Sequence, residues 1–393
     1  MDYESLEKIY YKNSSSHKEI YQARFNSPTT KHFDFQIKQV GRQNFFPAFL
    51  CYSEEIFLLV EKIYKQQEKF LRIIPKVPDL LLNQFEFLSI VEEVKATSEI
   101  EGVHSTRREL TEILEGNKTS PHFSSIVKKY SSLTGNEKIY FQTCEDLRNF
   151  YDEFAHKEVV LDNEKNKLDG KLFRKNLVDV TSDTGKILHR GLFPEEKIID
   201  AMTKALKILN DEKIPALIRI AAFHYFFEYI HPFYDGNGRT ARFIASYFLS
   251  EHLNYLAALR LSFVIKRNRK KYYELFRQTD SEFNCGDLTP FVIGFLEMIE
   301  ETFADIELNL NREVINLEKF RAKLFSEDEL SYKICYLLLQ SSLFLGTGIT
   351  MQDLMKFTGK SRNTIKSRLE KFSDKIIKIE KQKIFYKLNF LAL

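Results

Sequence analysis

One stretch of twelve residues concentrates the reactive chemistry of this chain: His231-Pro232-Phe233-Tyr234-Asp235-Gly236-Asn237-Gly238-Arg239-Thr240-Ala241-Arg242. An imidazole, a carboxylate able to hold a metal ion, two glycines around an amide and two arginines fall together. Glycine lets backbone N–H groups close on phosphate. A helix N-terminus adds unpaired donors and a partial positive charge. Guanidinium forks take phosphate oxygens in pairs, and Arg239 and Arg242, three apart, share a helix face. The inventory suits a nucleoside triphosphate. His231 precedes the cradle, where it could take a proton from an attacking group.

The elements that must hold this stretch follow from apolar spacing. Ile214–Ile230 is the most apolar helical run and ends directly at His231, with His224 inside it read as a core residue. A second helix starts near Gly238 and reaches about Glu251, and Pro194 opens another that reaches Asn210. Upstream, Ile56, Leu59, Val60, Ile63 and Tyr64 mark a helix over 54–71. Ile73 to Leu82 holds two prolines and reads as a connector. A further helix over 80–97 stops at Gly102, and 107–115 is helical. Residues 1–50 read as irregular, with Asn13–Ser16 a loop. Residues 117–133 read as loop or weak helix, and 132–157 as helical. Val178–Val180 and Lys186–His189 flank Thr181-Ser182-Asp183-Thr184-Gly185, a β-hairpin signal. Helices are expected over 271–279, 287–303 and 306–323. In the tail, helix 329–341 precedes 350–357, a Thr358-Gly359-Lys360 turn, helix 361–372 and two β-like runs, 375–379 and 384–388. That is the order of a winged helix-turn-helix.

Composition narrows the classes. At 393 residues, 44% hydrophobic and 29% charged, with no tryptophan, the chain reads as an ordinary globular protein of two to three domains. A net charge of +3 excludes a wholly polybasic nucleic-acid binder. Cys51, Cys144, Cys285 and Cys335 are too scattered for a disulfide framework or a zinc site, which fits a reducing cytoplasm. The N-terminus lacks the basic-then-apolar order of a signal peptide. The uncharged stretch 334–352 contains glutamine, serine, threonine and two glycines, so it is rejected as a membrane span.

The twelve residues resemble the signature of the Fic family, H-x-F-x-(D/E)-G-N-G-R-x-x-R, at every fixed position. The resemblance covers about residues 50–310. It implies a mainly α Fic-type core with a β-hairpin flap, and transfer of AMP from ATP to a protein hydroxyl. His231 would be the base and Asp235 the Mg²⁺ ligand. Gly236, Asn237 and Gly238 would form the anion hole for the α-phosphate, and Arg239 and Arg242 would reach the β- and γ-phosphates, with Thr240 and Ala241 completing the ATP-binding turn. Phe233 would anchor the loop. The hairpin resembles the flap that holds a protein target by strand addition, with Ile187, Leu188 and His189 near the nucleotide. Tyr272-Tyr273 with Gly286-Asp287 resembles the adenine-side segment. Thr97-Ser98-Glu99-Ile100-Glu101-Gly102 resembles the inhibitory motif (S/T)-x-x-x-E-(G/N), so Glu101 would engage Arg242 and displace the γ-phosphate.

The domains expected are 1–115, a helical region with the inhibitory motif; 116–323, the catalytic core; and 326–393, the winged helix-turn-helix. That tail carries twelve Lys/Arg against seven Asp/Glu. Lys360, Arg362, Lys366 and Arg368 fall on its recognition helix, and Lys381 and Lys383 at the wing tip. DNA phosphate and a protein contact, including a homo-oligomer, are both open as its partner. The reading is an autoinhibited, cytoplasmic protein adenylyltransferase that labels a target or itself. Its alternatives are AMP removal at the same site and a nucleotide-sensing DNA-binding regulator. No membrane partner is expected.

Overall fold

The apolar run that ends at His231 is the centre of the molecule. In the helix Ala216–Ile230, every residue except Ala216 and Glu228 is buried. The computed structural model describes residues 3–135, 138–181, 184–322, 324, 328–344, 348–380 and 384–389. They divide into two units, 1–67 with 89–303, and 68–88 with 304–393.

In chain order the first unit begins with α1 (Leu6–Lys12) and α2 (Ser14–Phe25), then β1 (Thr30–Ile37) and β2 (Phe46–Cys51). Helix α3 (Glu54–Ile73) and helix α4 (Asp79–Ile100) follow, then α5 (Arg107–Leu114), α6 (Ser124–Ser132), α7 (Cys144–Tyr151) and α8 (Lys157–Asp162), the last two bridged by a π-turn, Asp152–His156. Strands β3 (Asp179–Thr181) and β4 (Ile187–Arg190) form the expected hairpin. Its Ser182 and Asp183 lie outside the described residues. Next come α9 (Glu195–Asn210), α10 (Ala216–Ile230), α11 (Asn237–His252), α12 (Tyr255–Ala258), α13 (Leu261–Arg267), α14 (Arg269–Asp280) and α15 (Thr289–Arg321); the ends of α3 after 67 and of α15 after 303, and the start of α4 before 89, belong to the second unit. Helix α10 packs between α9 and α11. That sandwich explains why it is apolar on all sides.

Three expectations are corrected. Residues 1–50 are not irregular. Asn13 is the N-cap of α2, its side chain accepting the Ser15 N–H, rather than part of a loop. In β1, Phe33, Phe35 and Ile37 alternate inward, a period-2 pattern, and Phe35 stacks on Phe226 of α10 with ring centroids 4.0 Å apart. The unit therefore has a second hairpin, β1 antiparallel to β2. Residues 132–157 are not one helical run, because α6 ends at Ser132 and a capping box of Thr143 and Asp146 starts α7. Finally, α15 runs unbroken where two helices were expected. Phe303-Ala304-Asp305-Ile306 contains no glycine or proline to interrupt it.

The second unit contains α16 (Glu329–Phe344), β5 (Ile349–Thr350), α17 (Met351–Thr358), α18 (Arg362–Lys371), β6 (Ile376–Glu380) and β7 (Ile384–Leu388). The strand order is β5-β7-β6, antiparallel throughout. Ile334, Leu338, Leu354, Ile365 and Leu388 are central to its core. Ser361 N-caps α18, and Gly359, at φ +67°, ends α17. Arg368 is held by Asp328 at 3.2 Å and Lys366 lies 3.8 Å from Glu370, while Lys360 and Arg362 are exposed. Lys381 and Lys383 lie outside the described residues. No helix among the described residues is long and apolar enough to cross a membrane.

Candidate active site

Helix α10 does not end on glycine. His231 itself adopts the left-handed conformation, φ 53° and ψ 63°, which turns the chain sharply toward α11. Its Nδ1 lies 3.3 Å from the Glu228 carbonyl oxygen and 3.7 Å from the Glu228 carboxylate. A carbonyl only accepts, so Nδ1 carries the proton and Nε2 keeps its lone pair. Burial, with the nearby His189 and Arg174 charges, pushes the imidazole down to about 3. At neutral pH it is an unprotonated base. Burial, reinforced by the Glu101 charge, pushes Glu228 up to about 8.

The cradle is built by the loop 231–236. Phe233 is fully buried and stacks on Tyr151, centroids 3.6 Å apart, so it anchors the loop as expected. Gly236 sits at φ +78°, where a side chain would be strained, and a Cβ there would press on Ala155, Tyr151 and Val159 at 3.3 Å. No side chain caps α11, so the first-turn N–H groups of Asn237, Gly238 and Arg239 lack the intrahelical partners that later residues have. They are the donors available to an anion. The Asn237 side chain is not one of them. Its Oδ1 accepts the Phe233 N–H and its Nδ2 donates to the Phe233 carbonyl, both at 2.9 Å. Asp235 is half-buried and its Oδ1 accepts the Gly236 N–H at 2.5 Å. Thr240 Oγ1 donates to the Gly236 carbonyl, and Ala241 is buried packing.

The arginines have different partners. Arg239 is buried and paired with Glu158 of α8, itself 3% exposed. Its guanidinium is therefore already neutralised. Arg242 is also buried and faces α4. Its Nε donates to Thr97 Oγ1 at 2.9 Å, and its Nη2 donates to the Thr97 carbonyl at 3.0 Å and to Glu101 Oε1 at 2.7 Å. A Cβ on Gly238 would lie 2.2 Å from Glu101 Oε1, so the carboxylate rests against the first turn of α11. Helix α4 is fixed there by Glu93, which accepts the Ser262 and Phe263 N–H groups at 2.8 and 3.2 Å, and by Glu99, which pairs with Lys95 and Lys266. Gly102, at φ +78°, ends the helix one residue past Glu101.

On the flap, Ile187 and Leu188 are exposed and available to a docked chain. His189 is held by the fold on both ring nitrogens. Its ring nitrogens contact Asp280 Oδ2 at 3.0 Å and the Tyr229 carbonyl at 2.7 Å, neither of which can donate. Both nitrogens must carry protons. Burial alone would lower this histidine, but the Asp280 carboxylate and the Tyr229 carbonyl outweigh it and raise the pKa. His189 thus rivets β4 to α10 and α14. The tyrosine pair also divides. Tyr272 is buried with its hydroxyl 2.7 Å from His224 Nε2, which confirms His224 as a core residue and engages the Tyr272 hydroxyl there. Tyr273 is 38% exposed and senses the charges of Glu101 and Arg242. Asp287 is fully buried and accepts the Tyr3 hydroxyl at 2.6 Å.

Comparison with known proteins agrees with this geometry. Residues 143–249 match the family model "Fic/DOC family". This segment is similar to the Fic/DOC family. The matched span includes α7 to α11, and thus the flap and the whole cradle. The chain is 36% identical over 97 residues to "Protein adenylyltransferase Fic" of Drosophila erecta, covering 24% of this chain and 18% of that protein. It is 34% identical over 107 residues to the protein of the same name from Nematostella vectensis, covering 27% and 23%. The chain thus spans about a fifth of the length of these relatives. A Fic family protein from Desulfovibrio desulfuricans G20 shares the fold, with a TM-score of 0.54 at 20% identity over 86% of this chain and 97% of that one.

Several residues that shape this site carried no local signal. Arg174, Glu195 and Glu158 lie in unremarkable sequence and matter only through their partners. Glu228 could have been noticed, since i and i+3 on a helix share a face and it stands three residues before His231.

Proposed function

We propose that this chain is an autoinhibited protein adenylyltransferase that moves AMP from ATP to a Ser, Thr or Tyr hydroxyl. The observation that carries the reading is a neutral His231, its Nε2 lone pair free of a proton, on the loop that leads into the uncapped first turn of α11. The phosphates would lie along that turn, where N–H donors stabilise charge building on the α-phosphate. His231 takes the hydroxyl proton as the oxygen attacks the α-phosphorus, and pyrophosphate leaves. Asp235 would hold Mg²⁺. It offers one hard oxygen ligand not engaged by Gly236, which fits an ion that takes one or two carboxylates together with phosphates and water. Magnesium bound there would neutralise phosphate charge. The acceptor would lie along the flap edge, registered by backbone pairing.

Autoinhibition follows from Glu101. A γ-phosphate needs the Arg242 fork, and Glu101 holds it at 2.7 Å while lying on the α11 turn. The test is transfer of label from α-labelled ATP, with γ-labelled ATP as control. Glu101→Gly should raise transfer and His231→Ala should abolish it. Equal transfer from γ-labelled ATP would reject the reading in favour of phosphotransfer. A second use of the same site, hydrolytic removal of AMP with Glu101 orienting water, is favoured by that carboxylate's place at the cradle. Incubating an AMP-modified protein with wild type and Glu101→Gly separates the two, since removal retained by the variant argues against it. The basic face of α18 is proposed as a DNA contact. Salt-dependent gel shifts test it, and their absence rejects it.

A further inference from the structure

We propose that Arg174 is a positioning residue that acts through His231, holding the left-handed turn from which the imidazole is aimed. The inference rests on His231 being the base. Arg174 is fully buried. Its guanidinium goes to three backbone carbonyls: Nε to His231 at 2.9 Å, Nη1 to Asn176 at 2.6 Å and Nη2 to Ile230 at 3.4 Å. No carboxylate among the described residues pairs with it. A buried cation without a counter-ion is expensive to keep, so its setting has to repay that in some other way. Here the setting is the C-terminus of α10, where unpaired carbonyls and the helix dipole favour positive charge. The fork grips the carbonyls of Ile230 and His231, one on each side of the left-handed residue. It therefore fixes the dihedrals that direct the His231 Cβ.

The surroundings allow little alternative. The Arg174 N–H donates to the Pro232 carbonyl at 3.3 Å, and the Leu192 N–H donates to Ile230 at 3.1 Å. A Cβ on Gly191 would lie 2.3 Å from Arg174 Nη2 and 3.0 Å from the His231 Cβ, so only glycine fits between them. The loop that carries Arg174 is itself fixed by Glu195, whose carboxylate accepts the N–H groups of Lys171, Leu172 and Phe173 at 2.7–3.0 Å. The charged groups facing His231 are Arg174 from this loop, His189 from β4 and Glu228 from α10, with Glu101 and Arg242 beyond Glu228. The Arg174 charge opposes protonation of the imidazole, so positioning and protonation state are coupled.

The experiment uses the full chain in the Glu101→Gly background, with self-labelling from α-labelled ATP and the ring ¹⁵N resonances of His231 as readouts. Arg174→Lys retains charge but not the three-way fork. It should lower kcat about 10- to 100-fold, as a misplacement of about 1 Å does, with KM for ATP within about two-fold. Gly191→Ala should reproduce that loss without touching the charge. Arg174→Met should in addition raise the pH at which the imidazole protonates. Wild-type kcat and unshifted His231 resonances in both Arg174→Lys and Gly191→Ala would overturn the proposal, even if Arg174→Met does not fold. Full transfer by His231→Ala would instead defeat the reading of His231 as base, while the resonances still report whether Arg174 holds residue 231.

Discussion

The α10–α11 corner and the β3–β4 hairpin both belong to the proposed reaction, yet they are built on opposite principles. At the corner, Arg239, Arg242 and Asn237 are each at most 2% exposed and each is engaged by a named partner. The hairpin has strands of three and four residues, with Leu188 46% exposed. Groups that react must be held to fractions of an ångström, and burial with complete hydrogen bonding does that. A surface that receives another chain needs a free edge and accessible apolar side chains. His189 joins the two regions, fixing the base of the flap to Asp280 and leaving the outer residues open.

Substitutions should separate these regions by size of effect. His231→Ala should lose about 10²–10⁴-fold in α-label transfer if the corner supplies the base. Retained transfer would erase the contrast. Glu101→Gly should raise transfer by about tenfold or more, because the freed Arg242 fork regains a phosphate partner worth a few kcal/mol. Nucleotide affinity by calorimetry should rise in parallel. Gly236→Ala tests rigidity alone. A strained left-handed residue at a crowded turn should destabilise the fold by about 1–3 kcal/mol, read as a fall in the denaturant midpoint. On the flap, Leu188→Ser should leave that midpoint within about 0.5 kcal/mol of wild type. It should raise KM for an acceptor several-fold. A large stability loss would place Leu188 in the core and break the comparison.

The pH dependence sharpens the same contrast. Because burial holds His231 down to about 3, it stays neutral from pH 8 to pH 5. Its ring resonances should not titrate across that range. An exposed histidine changes charge near pH 6.5. Since the folded value lies below the unfolded one, the unfolded chain binds the extra proton between about 3 and 6.5. His231 therefore disfavours folding progressively as pH falls through that window, and its contribution returns as pH rises.

What could be read without coordinates was local. The cradle residues, the helix that ends at His231, the hairpin and the helix stop at Gly102 all depend on neighbours within a few positions, and dihedral preferences and apolar spacing encode those directly. The Glu101–Arg242 pair was anticipated only through family resemblance, since nothing local links residues 141 positions apart. Residues 1–50 were misread because Phe33, Phe35 and Ile37 alternate within a short segment, and the helix that buries Phe35 lies far along the chain.

Only the tertiary structure decided which polar side chains were still available. His189, Tyr272 and Asp287 have the right chemistry for a nucleotide site, but each is satisfied by a group distant in sequence, and the Asn237 side chain is taken by the Phe233 backbone. Arg174 looks ordinary in sequence and yet its guanidinium donates to the His231 carbonyl. Burial makes an unpaired polar atom costly, so the fold assigns partners by proximity in space. The twelve-residue stretch names the reacting groups, and long-range packing determines which of them are free to react.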